Sequence, residues 1–458
     1  MAPSGGLPPS RRHASGHLHR QATAQHAAVR PGSPTRLVRN AALLYVFATP
    51  LDIVPLPIGT PVTFAGAVFL CAWAVALLRG EVKPPRGGGL LLVLVALVVW
   101  SFTTIFWSYA PGVSITQAIT TTFLVVSAIA VAGVFRGEVE RPAGALALGS
   151  AIAGLAAIIS GPDVSNGFSE QASFLGIDQN ILAFNVALGL AASLFLMLGR
   201  HARSFVVVLL LLALIQTGAL IMIGSRTGIG SAIALVIAYI TLSLRNPRRA
   251  GIALAATLAA AWMVRSFSAN ELVPSRIQDW LQNPIAMDYR SEIIDAYRMT
   301  QADWIIKGVG AGADADYLLA VASWYKNAHS AFWRVWIELG LVGVLLWGLL
   351  LAGLAYRAWR SPNRAFFALE AVPIALFFYT LGPLGSNALW AVFGLAMGAS
   401  AMVEAAEASS GGRSTVSRSR SSGQVSSADP HGARWRDRGN APRSHSEANR
   451  WSSFAQAE

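Results

Sequence analysis

Long apolar runs recur along most of this chain, and they restrict its fold more than any other feature of the sequence. Many approach the ~20 residues that a helix needs to cross ~30 Å of hydrocarbon, and no alternating strand pattern suggests a barrel. The composition agrees, because 54% of the 458 residues are hydrophobic, 13% are charged, and the mean hydropathy is +0.50. We therefore predict an all-α integral membrane protein.

About twelve transmembrane helices are predicted. Their approximate ranges are 40–59, 62–78, 90–107, 112–135, 142–160, 180–199, 205–223, 228–244, 250–267, 330–353, 365–382 and 386–403. Asp52, Pro55 and Pro57 interrupt the first of them.

Basic residues gather at alternate ends of the predicted spans. The groups are Arg36 and Arg39; Arg79, Lys83 and Arg86; Arg136 and Arg141; Arg200 and Arg203; Arg245, Arg248 and Arg249; and Arg357, Arg360 and Arg364. Because short loops rich in Lys and Arg stay in the cytoplasm, both termini are predicted to be cytoplasmic. The opposite loops, including a long one at 268–328, are then extracytoplasmic.

Two basic tails flank the predicted membrane domain, which extends over residues 36–407. The formal net charge is +12, and 8 of these 12 charges belong to the tails, 1–35 and 408–458. Both tails are rich in Ser, Gly, Pro and Arg without hydrophobic periodicity, which predicts disorder and attraction to anionic inner-membrane lipids, not nucleic-acid binding. The first tail has no apolar core, which argues against a signal peptide. Cys71, the single cysteine, cannot form an intramolecular disulfide.

The loop at 268–328 carries helical signals of its own. Amphipathic periods extend over Pro274–Leu281 and from about Met287 to Ile305, and a glycine-rich stretch follows at Gly308–Gly312. We therefore expect this loop to fold as a cap on the bundle. Its aromatic residues could stack on sugar rings or form an interfacial belt.

A histidine follows this loop directly, at the start of an apolar helix. His329 has an ordinary pKa near 6.5, so it can take a proton from a hydroxyl near neutral pH. A charged or titratable group at the edge of a bilayer is costly to keep, which marks the segment Asn327–Gly343 as a candidate site.

Four short pieces follow one another along the chain: Gly176–Ala183, Gly224–Gly228, Tyr289–Arg290 leading to Trp304–Gly310, and the histidine segment to Gly343. Their order around one long loop resembles the O-antigen ligase and O-antigen polymerase superfamily of bacterial membrane glycosyltransferases. The chain has Ser330 where the family often has Asn, and the piece at Asn180 matches loosely.

The resemblance implies transfer of a glycan from a polyprenyl pyrophosphate carrier to an acceptor hydroxyl, at the periplasmic face of the bacterial inner membrane. The acceptor would be another glycan or lipid A core, and no cofactor is implied. Arg226 and Arg290 match the family's arginines and would bind the pyrophosphate through paired hydrogen bonds. His329 matches the family's histidine and would act as general base, with inversion at the anomeric carbon.

Further residues are possible substrate contacts: Asn180, Lys326, Arg298 and Glu338. Each assignment has a simpler alternative. Arg226 and Arg290 could snorkel to lipid headgroups, and His329 could cap its helix. Lys326 and Arg298 could be solvated surface residues. Glu338 is expected to be neutralised by Arg334, four residues earlier.

No metal site is predicted. Asp314 and Asp316 have the spacing of a metal-chelating carboxylate pair, but such pairs are common and no nucleotide-binding domain accompanies this one. The expected reaction is therefore metal-independent. A secondary transporter of a small anion or sugar is the alternative class, although the sequence has no convincing internal repeat. Ligase and polymerase activities remain equally open.

Overall fold

The computed structural model describes residues 34–53, 59–83, 85, 88–160, 173–174, 177–199, 202–244, 251, 290–323, 328 and 330–399. Helices α1 to α5 are Arg36–Ala48, Pro61–Leu78, Gly88–Thr103, Pro111–Phe135 and Glu140–Ser160. A two-stranded antiparallel ladder, β1 (Ser173–Phe174) and β2 (Ile177–Asp178), precedes α6 to α8, which are Gln179–Leu198, Arg203–Ile223 and Arg226–Ser243. Helices α9 to α14 are Arg290–Met299, Gln301–Trp304, Asp314–Ala322, Ala331–Arg360, Arg364–Thr380 and Asn387–Ala399. Two 3-10 helices follow α1 and α3, at Thr49–Ile53 and Thr104–Trp107.

Eight of these helices, α2 to α8 and α12, are long and apolar enough to cross a membrane. The all-α membrane class is confirmed, whereas the predicted count of about twelve spans is not. Helices α1, α13 and α14 have only 13, 17 and 13 residues. The predicted span at 250–267 and the first part of the predicted cap, up to residue 289, lie almost wholly outside the described residues.

Several of the predicted basic loops contact one another. At one end, Arg39 pairs with Glu138, Arg136 donates to the carbonyl of Lys83, and Asn363 donates to the carbonyl of Gly137. The last turn of α14 reaches the same end, because Arg357 donates to the carbonyl of Met397. Four of the six basic groups that the charges assign to the cytoplasm therefore lie at the same end of the fold.

Helix α6 is the central helix of the bundle, with 83% of its span buried. Buried polar side chains join its neighbours to it: Gln216 on α7 accepts from Ser193 and donates to the carbonyl of Ala147 on α5. Ser150 on α5 donates to the carbonyl of Asn185. Such bonds between helices suit a membrane interior, where an unpaired polar group is costly.

Helix α12 is broken at Gly340, whose φ of 66° and ψ of −166° are not helical. The sequence predicts a span at 330–353 here and does not predict the break. Residues 305–310 insert at the break: Val309 and Gly310 donate their amide hydrogens to the carbonyls of Ile337 and Glu338. The 20 residues from Leu341 to Arg360 suffice to cross about 30 Å, so the nine residues before the break, Ala331 to Leu339, are not needed to span the membrane.

Helices α9 to α11 pack on the first turns of α12. Their shared core contains Ile293, Tyr297, Trp304, Leu318 and Ile337, which are all nearly fully buried. The helix predicted from about Met287 to Ile305 is present from Arg290 onward, divided by a turn at Thr300 into α9 and α10. This part of the chain thus forms a small second core beside the main bundle.

Candidate functional site

Arg226 lies in the turn between α7 and α8. Gly224 ends α7 with a left-handed backbone, φ 70°, and the Ser225 hydroxyl then caps α8 by accepting from the amide of Gly228 at 3.2 Å. Arg226 is the first residue of α8 and its side chain is exposed. The local sequence therefore presents a guanidinium at the positive end of a helix dipole, which favours anions.

Asn180 is held against the same turn. Its Oδ1 accepts a hydrogen bond from the Ser225 hydroxyl at 2.9 Å, and its amide donates to the Asp178 carboxylate, which caps α6, at 2.7 Å. The side chain of Asn180 therefore contacts Ser225, the residue that precedes Arg226. This bond gives Asn180 a structural role.

The C-terminal end of α13 joins this turn to the start of α12. The Thr227 hydroxyl donates to the Thr380 hydroxyl at 3.0 Å. Two residues earlier on α13, the carbonyl of Phe378 accepts from the Ser330 hydroxyl at 3.5 Å. A Cβ at Gly382, whose φ is 76°, would lie 3.0 Å from the amide nitrogen of Ala331, so the two chain segments approach closely. The start of α8 and the start of α12 therefore share one end of the bundle.

His329 and Lys326 lie outside the described residues, but both neighbours of His329 in the chain are described. Ala328 is buried, and its amide donates to Oδ2 of Asp314 at 3.1 Å. Ser330 is also buried, and its carbonyl accepts from the amide of Arg334 in the first hydrogen bond of α12. The chain is thus fixed immediately before and after the predicted base.

Arg290 is the first residue of α9, and its side chain lies outside the described set. Arg298, at the other end of α9, is exposed; it pairs with Asp295 at 3.0 Å and lies 5.8 Å from the centre of the Trp333 ring. These contacts are those of the alternative, in which Arg298 is a solvated surface residue, and its predicted contact with substrate stays a prediction.

Glu338 forms the predicted pair with Arg334, whose Nε lies 2.6 Å from Oε1. Because Glu338 is almost fully buried, this ion pair neutralises its charge. Asp314 lies close to this pair and is 1% exposed. Burial, followed by the negative charge of Glu338, raises the pKa of Asp314 to about 7.

The sequence missed the structural role of Asp314, which stood out only as half of a possible metal-binding pair. A signal was present, because an acidic residue suits the first turn of a helix. Over the described part of the chain, no group of three His, Cys, Asp or Glu side chains could hold a metal ion.

Residues 210–348 match the family described as O-antigen ligase. This segment contains Arg226, Arg290 and His329. No curated protein matches the chain. One solved structure, described as "Structural coordination of polymerization and crosslinking by a peptidoglycan synthase complex", aligns over 68% of this chain and 96% of its own. Its sequence identity to this chain is 18% and its TM-score is 0.37, which is too low to indicate a shared fold.

The matched segment begins within α7 and includes the α7–α8 turn, helices α9 to α11 and the break in α12. Three of the four pieces on which the resemblance rested lie within it, and only Gly176–Ala183 lies outside. The resemblance to the O-antigen ligase superfamily is therefore confirmed over residues 210–348.

Proposed function

We propose that this chain is a membrane glycosyltransferase that moves a glycan from a polyprenyl pyrophosphate carrier to an acceptor hydroxyl, at the outer face of the bacterial inner membrane. The observation that carries the proposal is the pair of contacts at the end of α13, where Thr227 donates to Thr380 and Ser330 donates to the carbonyl of Phe378. It puts the arginine turn and the residue after His329 against one helix end.

Arg226 suits the donor side of such a reaction. When the bond between the anomeric carbon and the phosphate oxygen breaks, negative charge grows on the pyrophosphate that leaves. The exposed guanidinium at the start of α8 could donate two directional hydrogen bonds to the pyrophosphate oxygens. The positive end of the helix dipole would stabilise the same negative charge. Arg290, at the start of α9, would supply a second guanidinium.

His329 suits the acceptor side. The acceptor oxygen attacks the anomeric carbon, its proton passes to the imidazole, and the pyrophosphate leaves from the opposite face, which inverts the anomeric centre. The buried, hydrogen-bonded residues on both sides of His329 would limit its movement. A fixed base lowers the entropic cost of reaching the transition state.

The break in α12 is the feature that most resembles a transporter, in which unwound backbone binds the substrate. In this chain the freed groups bind protein instead. The carbonyls of Ile337, Glu338 and Leu339 accept from Val309, Gly310 and Trp100, and the amide of Leu341 donates to the carbonyl of Ile305. The break therefore supports the enzyme more than the transporter.

The test uses the purified chain in liposomes with a lipid-linked glycan donor isolated from the source cells. Release of polyprenyl pyrophosphate is followed by mass spectrometry, with lipid A core or a second lipid-linked glycan as the acceptor. We expect the release of polyprenyl pyrophosphate to require an acceptor. Preference for lipid A core would indicate a ligase, and preference for a second lipid-linked glycan would indicate a polymerase. Uptake of free sugar into the liposomes without release of pyrophosphate would contradict the proposal.

A further inference from the structure

Asp314 has an unusual environment for a carboxyl group outside the predicted spans. It begins α11, is 1% exposed, and uses one oxygen, Oδ2, to accept from the amide of Ala328 at 3.1 Å. The other oxygen, Oδ1, has no hydrogen-bond partner among the described residues. Burial of such a group costs free energy, so stability does not account for its presence here.

The backbone of Asp314 is fixed independently of its side chain. The Tyr297 hydroxyl, on α9, donates to the carbonyl of Asp314 at 2.9 Å. Tyr297 is fully buried and its own carbonyl accepts from the Trp304 indole at 3.0 Å. Asp314 thereby connects the helix that starts with Arg290 to the segment that carries His329.

We propose that Asp314 is a positioning residue for the transfer reaction, which sets the location of His329 by holding the amide of Ala328. The proposal rests on the proposed function, since it assigns His329 as the base. The Arg334 and Glu338 side chains form an ion pair with each other. The Asp314 carboxyl therefore remains available to accept from the amide of Ala328. A general base needs hydrogen-bond reach to the acceptor hydroxyl, and small displacements lower the rate strongly.

Two variants separate position from charge. Asp314→Leu fills the buried space but has no acceptor, whereas Asp314→Asn keeps an oxygen that accepts from Ala328 and removes the charge. We expect kcat to fall about tenfold or more in Asp314→Leu, with the donor KM changed by less than about threefold. Asp314→Asn should restore kcat to within about threefold of wild type. Asp316→Asn, on the same helix but partly exposed, is the matched control.

Hydrogen exchange provides a readout that does not depend on activity. Peptides that contain Ala328 should exchange faster in Asp314→Leu, and at the wild-type rate in Asp314→Asn and Asp316→Asn. Unchanged exchange and kcat in Asp314→Leu would overturn the proposal, and so would equal losses of kcat in the Leu and Asn variants. If the wild type transfers no glycan, the proposed function fails, while faster exchange in Asp314→Leu still reports the Ala328 bond.

Discussion

Val309 donates its amide hydrogen to the carbonyl oxygen of Ile337 at 2.8 Å, inside what would otherwise be a continuous helix. On the other side of the same segment, the amide of Tyr109 donates to the carbonyl of Val309 at 2.9 Å. Residues 305–310 are therefore held between α12 and the junction of α3 with α4. This arrangement satisfies the backbone groups that the break exposes, as a membrane protein requires.

Gly340→Ala is expected to destabilise the protein severely. A Cβ at this position would overlap the carbonyl of Ile306, and the positive φ is itself unfavourable for alanine. Gly348→Ala is the matched control, because it lies on the same helix with nothing within 4 Å of an added Cβ. Thermal unfolding in detergent should show a large loss for the first variant and no loss for the second. Equal unfolding temperatures would contradict the geometry of the break.

The sequence predicts those elements that depend on local patterns. Apolar runs indicated the spans, and a spacing of four residues indicated the Arg334–Glu338 pair. The break in α12 depends on a partner about thirty residues earlier, and no local pattern encodes that contact. The same holds for the bond between Asp314 and Ala328, which joins residues 14 positions apart. The role of His329 remains a prediction.

The membrane orientation can be tested with single cysteines in a Cys71→Ser background. We expect cysteines at Thr35 and Ser410 to react with an impermeant reagent only after lysis, and one at Gln282 to react in intact cells. The reason is that every strongly basic short loop then lies in the cytoplasm. Labelling at position 282 only after lysis would reverse the orientation and move the proposed site to the wrong side of the membrane.

Arg226→Lys and Arg290→Lys are each expected to reduce transfer by about 10- to 100-fold, while the protein still inserts. An ammonium keeps the charge but loses the two-pronged geometry that fits a pyrophosphate. Arg364→Lys is the control, because this exposed arginine begins α13 at the opposite end of the bundle. Wild-type rates in both variants would indicate that the arginines only contact lipid headgroups.

The stability of the folded protein should depend on the ionisation of Asp314. Its pKa in the folded state, about 7, lies above the ~3.9 of an unfolded aspartate, so the protonated carboxyl favours folding. Stability is therefore expected to fall as the pH rises from about 4 to about 7. Thermal unfolding at pH 5 and pH 8 should show a larger decrease for wild type than for Asp314→Asn. Parallel changes in the two proteins would show that Asp314 does not titrate in this range.

His329→Ala is expected to lower transfer by ~10²- to 10⁴-fold with donor binding largely intact. The base acts on the acceptor proton, whereas the proposed arginines hold the pyrophosphate. Transfer by the wild type should also survive EDTA, because arginines supply the positive charge that a metal would otherwise provide. One assay on purified protein with lipid-linked glycan tests both expectations. Full activity of His329→Ala would refute the mechanism, and loss of turnover in EDTA with recovery on adding a divalent ion would assign a metal role to Asp316 and Asp314.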